Sequence, residues 1–174
     1  KNDYIALLHS DDFYSNRNAL NLVDSFFKKN KNIDAVYSNV VFVDRSNKKI
    51  VKRIFNSRQL SYADFLKGVH PPHTSLFLKK KIYRKYTNYK TSYKIAADFE
   101  FMLRIFGILR VRSKYLNKTI LNMRTGGVST KSVQNIIASN IEVFKSLRFH
   151  NINFKLYYII LKILRKIRQI KLLN

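Results

Sequence analysis

The chain opens with a short apolar run, Tyr4-Ile5-Ala6-Leu7-Leu8, that stops at His9-Ser10-Asp11-Asp12. A continuous apolar stretch of this length predicts a buried strand, here one that ends in acid. Between Asn18 and Asn30, Leu20, Val23, Phe26 and Phe27 recur at helical spacing. With Ser15 or Asn16 as the cap and Lys28-Lys29 at the C-terminal end, they predict an amphipathic helix. Ala35-Val36-Tyr37 and Val40 to Val43 read as strands, and Asp44-Arg45-Ser46-Asn47 as a turn before Ile50 to Phe55. Ser61-Tyr62-Ala63-Asp64 has the S-x-x-D form of a helix start, and that short helix should end at Gly68.

The prolines of His70-Pro71-Pro72-His73 exclude helix, and Thr74 to Leu78 then reads as a strand. Phe99, Met102, Leu103 and Phe106 fall at i, i+3, i+4 and i+7, so they share a buried helical face, with Asp98 in the first turn. Arg124-Thr125-Gly126-Gly127-Val128-Ser129 reads as a loop, after which Ile137, Ile141, Phe144 and Leu147 mark a further helix. From Lys155 to Leu173 leucine and isoleucine dominate, while Lys162, Arg165 and Lys166 form a basic stripe at i, i+3 and i+4. Such a segment suits the headgroup region of an anionic membrane, or packing on its own domain. The expected class is α/β, with the main α/β portion over residues 1–130 and a basic, amphipathic helical extension over 131–174.

Composition changes this picture in a few respects. A chain of 174 residues that is 46% hydrophobic can bury one core. With no cysteine, neither a disulfide framework nor a thiolate zinc site is available, which accords with a reducing cytoplasm. Against 34 basic residues stand 10 acidic ones, for a net charge of +24. That field attracts nucleic acid, phosphorylated lipid surfaces and sugar diphosphates alike. The longest uncharged apolar run near the C-terminus, Leu156 to Leu161, falls far short of the roughly eighteen residues a membrane span needs. The first residue is Lys1 and no basic-then-apolar leader precedes Asp3, so a secretory signal is not expected and the N-terminus reads as a cut. Eleven tyrosines and thirteen phenylalanines raise a second possibility, a nucleic-acid-binding module with stacking platforms. Against it, Phe26, Phe27, Phe99, Phe106 and Phe144 lie on predicted core faces, and no helix-turn-helix, zinc-finger or RNA-binding signature is present.

Acids are scarce, so the adjacent Asp11 and Asp12 at a strand end stand out. Two carboxylates there can hold a hard cation such as Mg²⁺ or Mn²⁺ and leave coordination positions for phosphate; equally, Asp11 or Ser10 can cap a turn or the following helix. Asp98 has the same ambiguity, between a helix-dipole or capping role and a general base set among Ala96, Ala97 and Phe99. Glu100 reads as an i, i+4 partner of Arg104. His70 and His73 are separated by two prolines, and no cysteine or third histidine lies nearby in sequence, so zinc is not expected. Gly126-Gly127 can bring backbone N–H groups to an anion or simply make a tight turn.

The order of these motifs is more specific than any one of them. Asp3-Tyr4-Ile5 followed by Ser10-Asp11-Asp12-Phe13-Tyr14, then Pro71-Pro72-His73, then Ile95-Ala96-Ala97-Asp98-Phe99-Glu100 with Leu103-Arg104, then Met123-Arg124 with Gly126-Gly127-Val128-Ser129, closely resembles family 2 glycosyltransferases that build bacterial surface polysaccharides. The resemblance covers about residues 1 to 150. It implies a GT-A fold and an inverting transfer of sugar from a nucleotide-sugar donor to a hydroxyl of a saccharide or lipid-linked acceptor. It further implies that Asp12, with Asp11, helps hold a divalent cation against the donor diphosphate, and that Asp98 is the base for the acceptor hydroxyl. His73, Arg104, Arg124, Gly126 and Gly127 match family positions around the substrates. The lipid-linked acceptor implies a cytoplasmic protein at the inner face of the membrane. In that family a strand-helix-strand nucleotide-binding portion precedes the acidic pair, whereas here only Lys1 and Asn2 precede the matching region, so the base and ribose pocket is expected to be missing. Lys90 also stands where an acidic or small residue is expected.

Overall fold

Ala35–Val43, rich in β-branched and aromatic side chains, forms the long central strand of the sheet and is buried over most of its length. The computed structural model describes residues 3–67, 69–86, 89–126 and 132–152. In chain order these form β1 (Tyr4–Ala6), β2 (Phe13–Tyr14), α1 (Ala19–Lys29), β3 (Ala35–Val43), β4 (Val51–Phe55) and α2 (Tyr62–Leu66). A 3₁₀ turn (His73–Ser75), β5 (Phe77–Lys79), α3 (Lys80–Tyr86) and α4 (Ala97–Met102) follow. α4 continues as a π-helical turn over Leu103–Ile108, before β6 (Ser113–Arg124) and α5 (Val133–Phe149).

The strands make one curled mixed sheet in the order β1-β5-β3-β6-β2, with β4 beside the far end of β3. β3 and β6 pair in parallel and the remaining pairings are antiparallel. A parallel pair needs cover on both faces, and strand alternation supplies an apolar set to each. Ala35, Tyr37, Leu76 and Leu78 face α2 and α4, packing with Phe65, Phe101, Met102, Ile105 and Phe106. Val36 and Phe77 face the other way, against Ala19, Val23 and Phe27 of α1. The architecture is therefore α/β, with helices on both sides of the sheet.

The buried face of α1 is Ala19, Val23 and Phe27, whereas Leu20, expected on that face, is half exposed. Neither Ser15 nor Asn16 is the cap. Asn18 holds that position without a side-chain bond, because Ser15 already belongs to the sheet edge: its N–H donates to Ile120 O (2.9 Å) and its hydroxyl to Thr119 O (2.7 Å). The expected strand from Tyr4 stops at Ala6, leaving Leu7 and Leu8 exposed. That expected from Thr74 begins only at Phe77, since His73–Ser75 form a turn in which Ser75 Oγ accepts from Ser38 N–H (3.3 Å) and donates to Ser38 O (3.1 Å). These side-chain bonds satisfy β3 where β5 leaves it. α2 begins as its sequence requires: Ser61 and Asp64 form a reciprocal capping box. Gly68, its expected end, lies outside the described residues, as do Gly127 and the whole of Lys155–Leu173.

α5 packs on α4 through Val143 and Leu147 against Ala96, Phe99 and Leu103. Phe144, Ile137 and Ile141 are about half exposed, so Phe144 is not a core residue. Among the described residues no helix is long and apolar enough to cross a membrane.

Candidate functional site

The site is built where β1 ends. Ala6 pairs with Phe77 across the antiparallel β1–β5 ladder, so the chain leaving β1 runs beside the chain entering β5. This brings His9 to His73, whose Nε2 atoms lie 3.1 Å apart with ring centroids at 5.1 Å. A tight turn follows, with the Asp12 N–H donating to His9 O (3.1 Å). β2 then pairs with β6, Phe13 opposite Asn122, which sets Asp12 beside Met123 and Arg124.

Asp12 is 9% exposed. It accepts a backbone hydrogen bond from Arg124, yet its Oδ2 is buried with no hydrogen-bond partner among the described residues. Burial raises this carboxyl above its ordinary range; His9 opposes the rise, Asp11 adds to it, and the Arg124 N–H and His73 oppose it. Asp11 itself is exposed.

His73 follows two buried prolines and is fixed from the next residues on: Thr74 Oγ1 lies 3.2 Å from Met123 Sδ, and Ser75 is tied to β3. Its other ring nitrogen, Nδ1, is 3.0 Å from Asp98 Oδ2. Asp98 Oδ1 accepts the Phe99 N–H at 2.8 Å, and the side chain remains 32% exposed. Burial pushes Asp98 upward, but the His73 hydrogen bond and charge, His70 and the Phe99 N–H outweigh it and hold the carboxyl below its ordinary value. His73 donates from Nδ1 to the carboxylate, and its Nε2 shares a hydrogen bond with His9 Nε2 whose direction the tautomers set. The result is a hydrogen-bonded line Asp98–His73–His9 whose last member abuts Asp12.

The turn carrying Asp98 is held from outside by α5. Glu142 accepts the N–H groups of Lys94 (2.9 Å), Ile95 (2.9 Å) and Ala96 (2.7 Å), satisfying the backbone donors of the loop that leads into α4. Two residues beyond Asp98, the fully buried Glu100 accepts from Arg104 Nε (3.0 Å), lies 2.9 Å from His150 Nε2, and has Lys90 Nζ at 3.7 Å. Burial raises Glu100, and Arg104, His150 and Lys90 together bring it below its ordinary value.

No family model matches this chain, and no curated protein does either.

Of the residues singled out in the sequence, Asp12, His73, Asp98 and the Arg124 backbone come together, with Asp11 at the rim. Arg104 does not join them: its guanidinium bonds to Glu100 and the Tyr86 carbonyl, tying α4 to the end of α3. Gly126 is exposed, has φ +100°, and would carry a Cβ 3.4 Å from the Arg45 guanidinium, so its glycine answers a backbone need. Sequence reasoning weighed His70 only as a zinc ligand and missed His9 and Glu142. His9 had a signal, a histidine one serine away from the only Asp-Asp pair, whereas Glu142 sits 46 residues from the nearest N–H it binds. Among the described residues no three histidine, aspartate or glutamate side chains converge as a ready-made metal cage. The orphaned Asp12 Oδ2 nevertheless suits a hard cation that takes one or two protein carboxylates and fills its remaining positions with phosphate and water.

Proposed function

We propose that this chain is the metal- and acceptor-binding part of an inverting glycosyltransferase of the GT-A fold, transferring sugar from a nucleotide-sugar donor to a hydroxyl of a saccharide or lipid-linked acceptor. The observation that carries this reading is the line Asp98–His73–His9 ending at Asp12: one acid is held ionised and accessible, the other is buried with an open oxygen. The resemblance of the motif order to family 2 glycosyltransferases, and the α/β sheet with helices on both sides, support it.

In the reaction the acceptor oxygen bonds to the anomeric carbon from one side while the bond to the donor diphosphate breaks on the other, its electron pair leaving with the diphosphate. Asp98 takes the hydroxyl proton as the new bond forms. Its lowered proton affinity keeps it ionised throughout the neutral range, and its two hydrogen bonds, from His73 and the Phe99 N–H, fix its orientation while leaving lone pairs free. Asp12 Oδ2, with the exposed Asp11 beside it, would hold a Mg²⁺ or Mn²⁺ whose charge offsets that of the leaving group. Arg124 and the positive field of the chain favour the same anion.

Calorimetric titration of the folded chain with uridine and guanosine diphosphates in Mn²⁺, beside Asp12→Asn, tests the reading. Binding that requires the metal and disappears in the variant is the expected outcome. Equal binding by both proteins, or none by the folded wild type, removes the diphosphate site from this polypeptide.

A further inference from the structure

α5 presents an apolar surface that nothing described covers. Val133, Ile137, Ile141 and Phe144 recur at i, i+4, i+8 and i+11, the spacing of one helical sector, and are 71%, 55%, 50% and 48% exposed. The helix runs for 17 residues, about 25 Å at the usual rise. Its buried residues, Val143, Ser146 and Leu147, lie on a different side.

The charges on the same helix are arranged around that stripe. α5 carries Glu142, Lys145 and Arg148 and no other charged residue. Glu142, its single acid, is turned inward onto the N–H groups of Lys94, Ile95 and Ala96. The outward surface therefore combines half-exposed aliphatic and aromatic side chains with two exposed cations in the last two turns, Lys145 and Arg148. On a chain of net charge +24, such a face is repelled by a second copy of itself and attracted by a negative surface. A phosphodiester polymer offers the cations partners but gives exposed isoleucines nothing to enter. A bilayer with anionic headgroups satisfies both, since the apolar stripe enters the acyl boundary while the cations stay at headgroup level.

From this arrangement we infer that α5 is an interfacial docking helix that seats the protein on an anionic lipid surface through Val133, Ile137, Ile141 and Phe144. The contact does not depend on the glycosyltransferase reading. Because Glu142 of the same helix grips the backbone just before Asp98, docking would fix the candidate base beside the bilayer plane, within reach of an acceptor anchored there.

The test is sedimentation of the full chain with vesicles of phosphatidylcholine alone and of phosphatidylcholine with phosphatidylglycerol, using wild type and the triple variant Ile137→Gln, Ile141→Gln, Phe144→Gln. A second variant, Lys162→Gln, Arg165→Gln, Lys166→Gln, serves as control. All three substituted positions of the first are half exposed, so unfolding curves should overlay those of wild type. Wild type is expected to partition onto the anionic vesicles, and the apolar triple variant to lose on the order of a hundredfold of that partitioning, given three side chains no longer transferred from water. Undiminished partitioning of the folded triple variant overturns the inference, as does loss only in the Lys162, Arg165, Lys166 variant or absence of wild-type partitioning. Wild-type dimerisation that the apolar substitutions abolish, without change in vesicle binding, assigns the stripe to a second copy and overturns it too.

Discussion

Asp12 sets the stability of the fold against the proposed metal binding at the level of one side chain. Its carboxylate is buried, receives a backbone hydrogen bond from Arg124, and leaves Oδ2 unpaired among the described residues, beside the charge of Asp11. A buried unpaired charge is costly unless a cation meets it. Asp12→Asn keeps an oxygen for the Arg124 N–H and removes the charge, so the metal-free variant is expected to be more stable than wild type by about 1 kcal/mol, read as a higher urea midpoint. Saturating Mn²⁺ should stabilise wild type and leave the variant unmoved. Equal stability of the two proteins without metal would show that the carboxylate is not strained in the fold. Asp98 is the contrasting case, because His73 and the Phe99 N–H compensate it fully enough to hold it ionised.

Among the elements, α5 decides where Asp98 stands. α4 has no side-chain cap, and the backbone leading into it is fixed by Glu142, from a helix that begins some thirty residues after α4 ends. Three hydrogen bonds to a charged acceptor concentrate at the loop before Asp98. Glu142→Ala is therefore expected to cost about 2 kcal/mol in chemical denaturation, with amide exchange accelerated selectively at Lys94, Ile95 and Ala96. Uniform acceleration across the sheet would instead mean that the clamp is not local. The Glu100 network joins the same two helices one turn further on, through Arg104 within α4's continuation and His150 at the end of α5.

Across the whole molecule, carboxylates govern the response to acid. Asp98, Glu100, Glu142, Asp44 and Asp64 are all held below their ordinary values, Asp64 at about 2 through its Arg58 hydrogen bond. For each, the unfolded chain binds a proton at a pH where the folded chain does not, so the stabilisation is present above the unfolded value and lost as pH falls through the folded one. Urea midpoints at constant ionic strength should hold from neutrality down to about pH 5 and then fall steadily toward pH 2. Asp12 contributes with the opposite sign, because its raised value means that protonation favours the fold. Its single contribution opposes five, so a midpoint that rises between pH 5 and 3 would contradict this arrangement of charges.

What the sequence determined by itself is local. The S-x-x-D pattern at Ser61 produced its capping box, the i, i+3, i+4, i+7 spacing of Phe99, Met102, Leu103 and Phe106 produced a fully buried helical face, and the apolar run from Ala35 produced a central strand. Periodicity reports which residues share a face, not what covers it. Hence Leu20 and Phe144 kept helical spacing yet turned toward solvent, and Glu100, paired as expected with Arg104, proved to be wholly buried beneath His150 and Lys90 as well. β6 was illegible because Asn117, Lys118 and Thr119 interrupt its apolar pattern where its register against β3 shifts. The candidate site was legible only as separate motifs. The meeting of His9 with His73 across 64 residues follows from the β1–β5 ladder, and the orphaned oxygen of Asp12 from the β2–β6 pairing that buries it. Those are long-range pairings, and only the tertiary structure decides them, because their selection depends on the closure of the whole sheet rather than on any stretch of neighbouring residues.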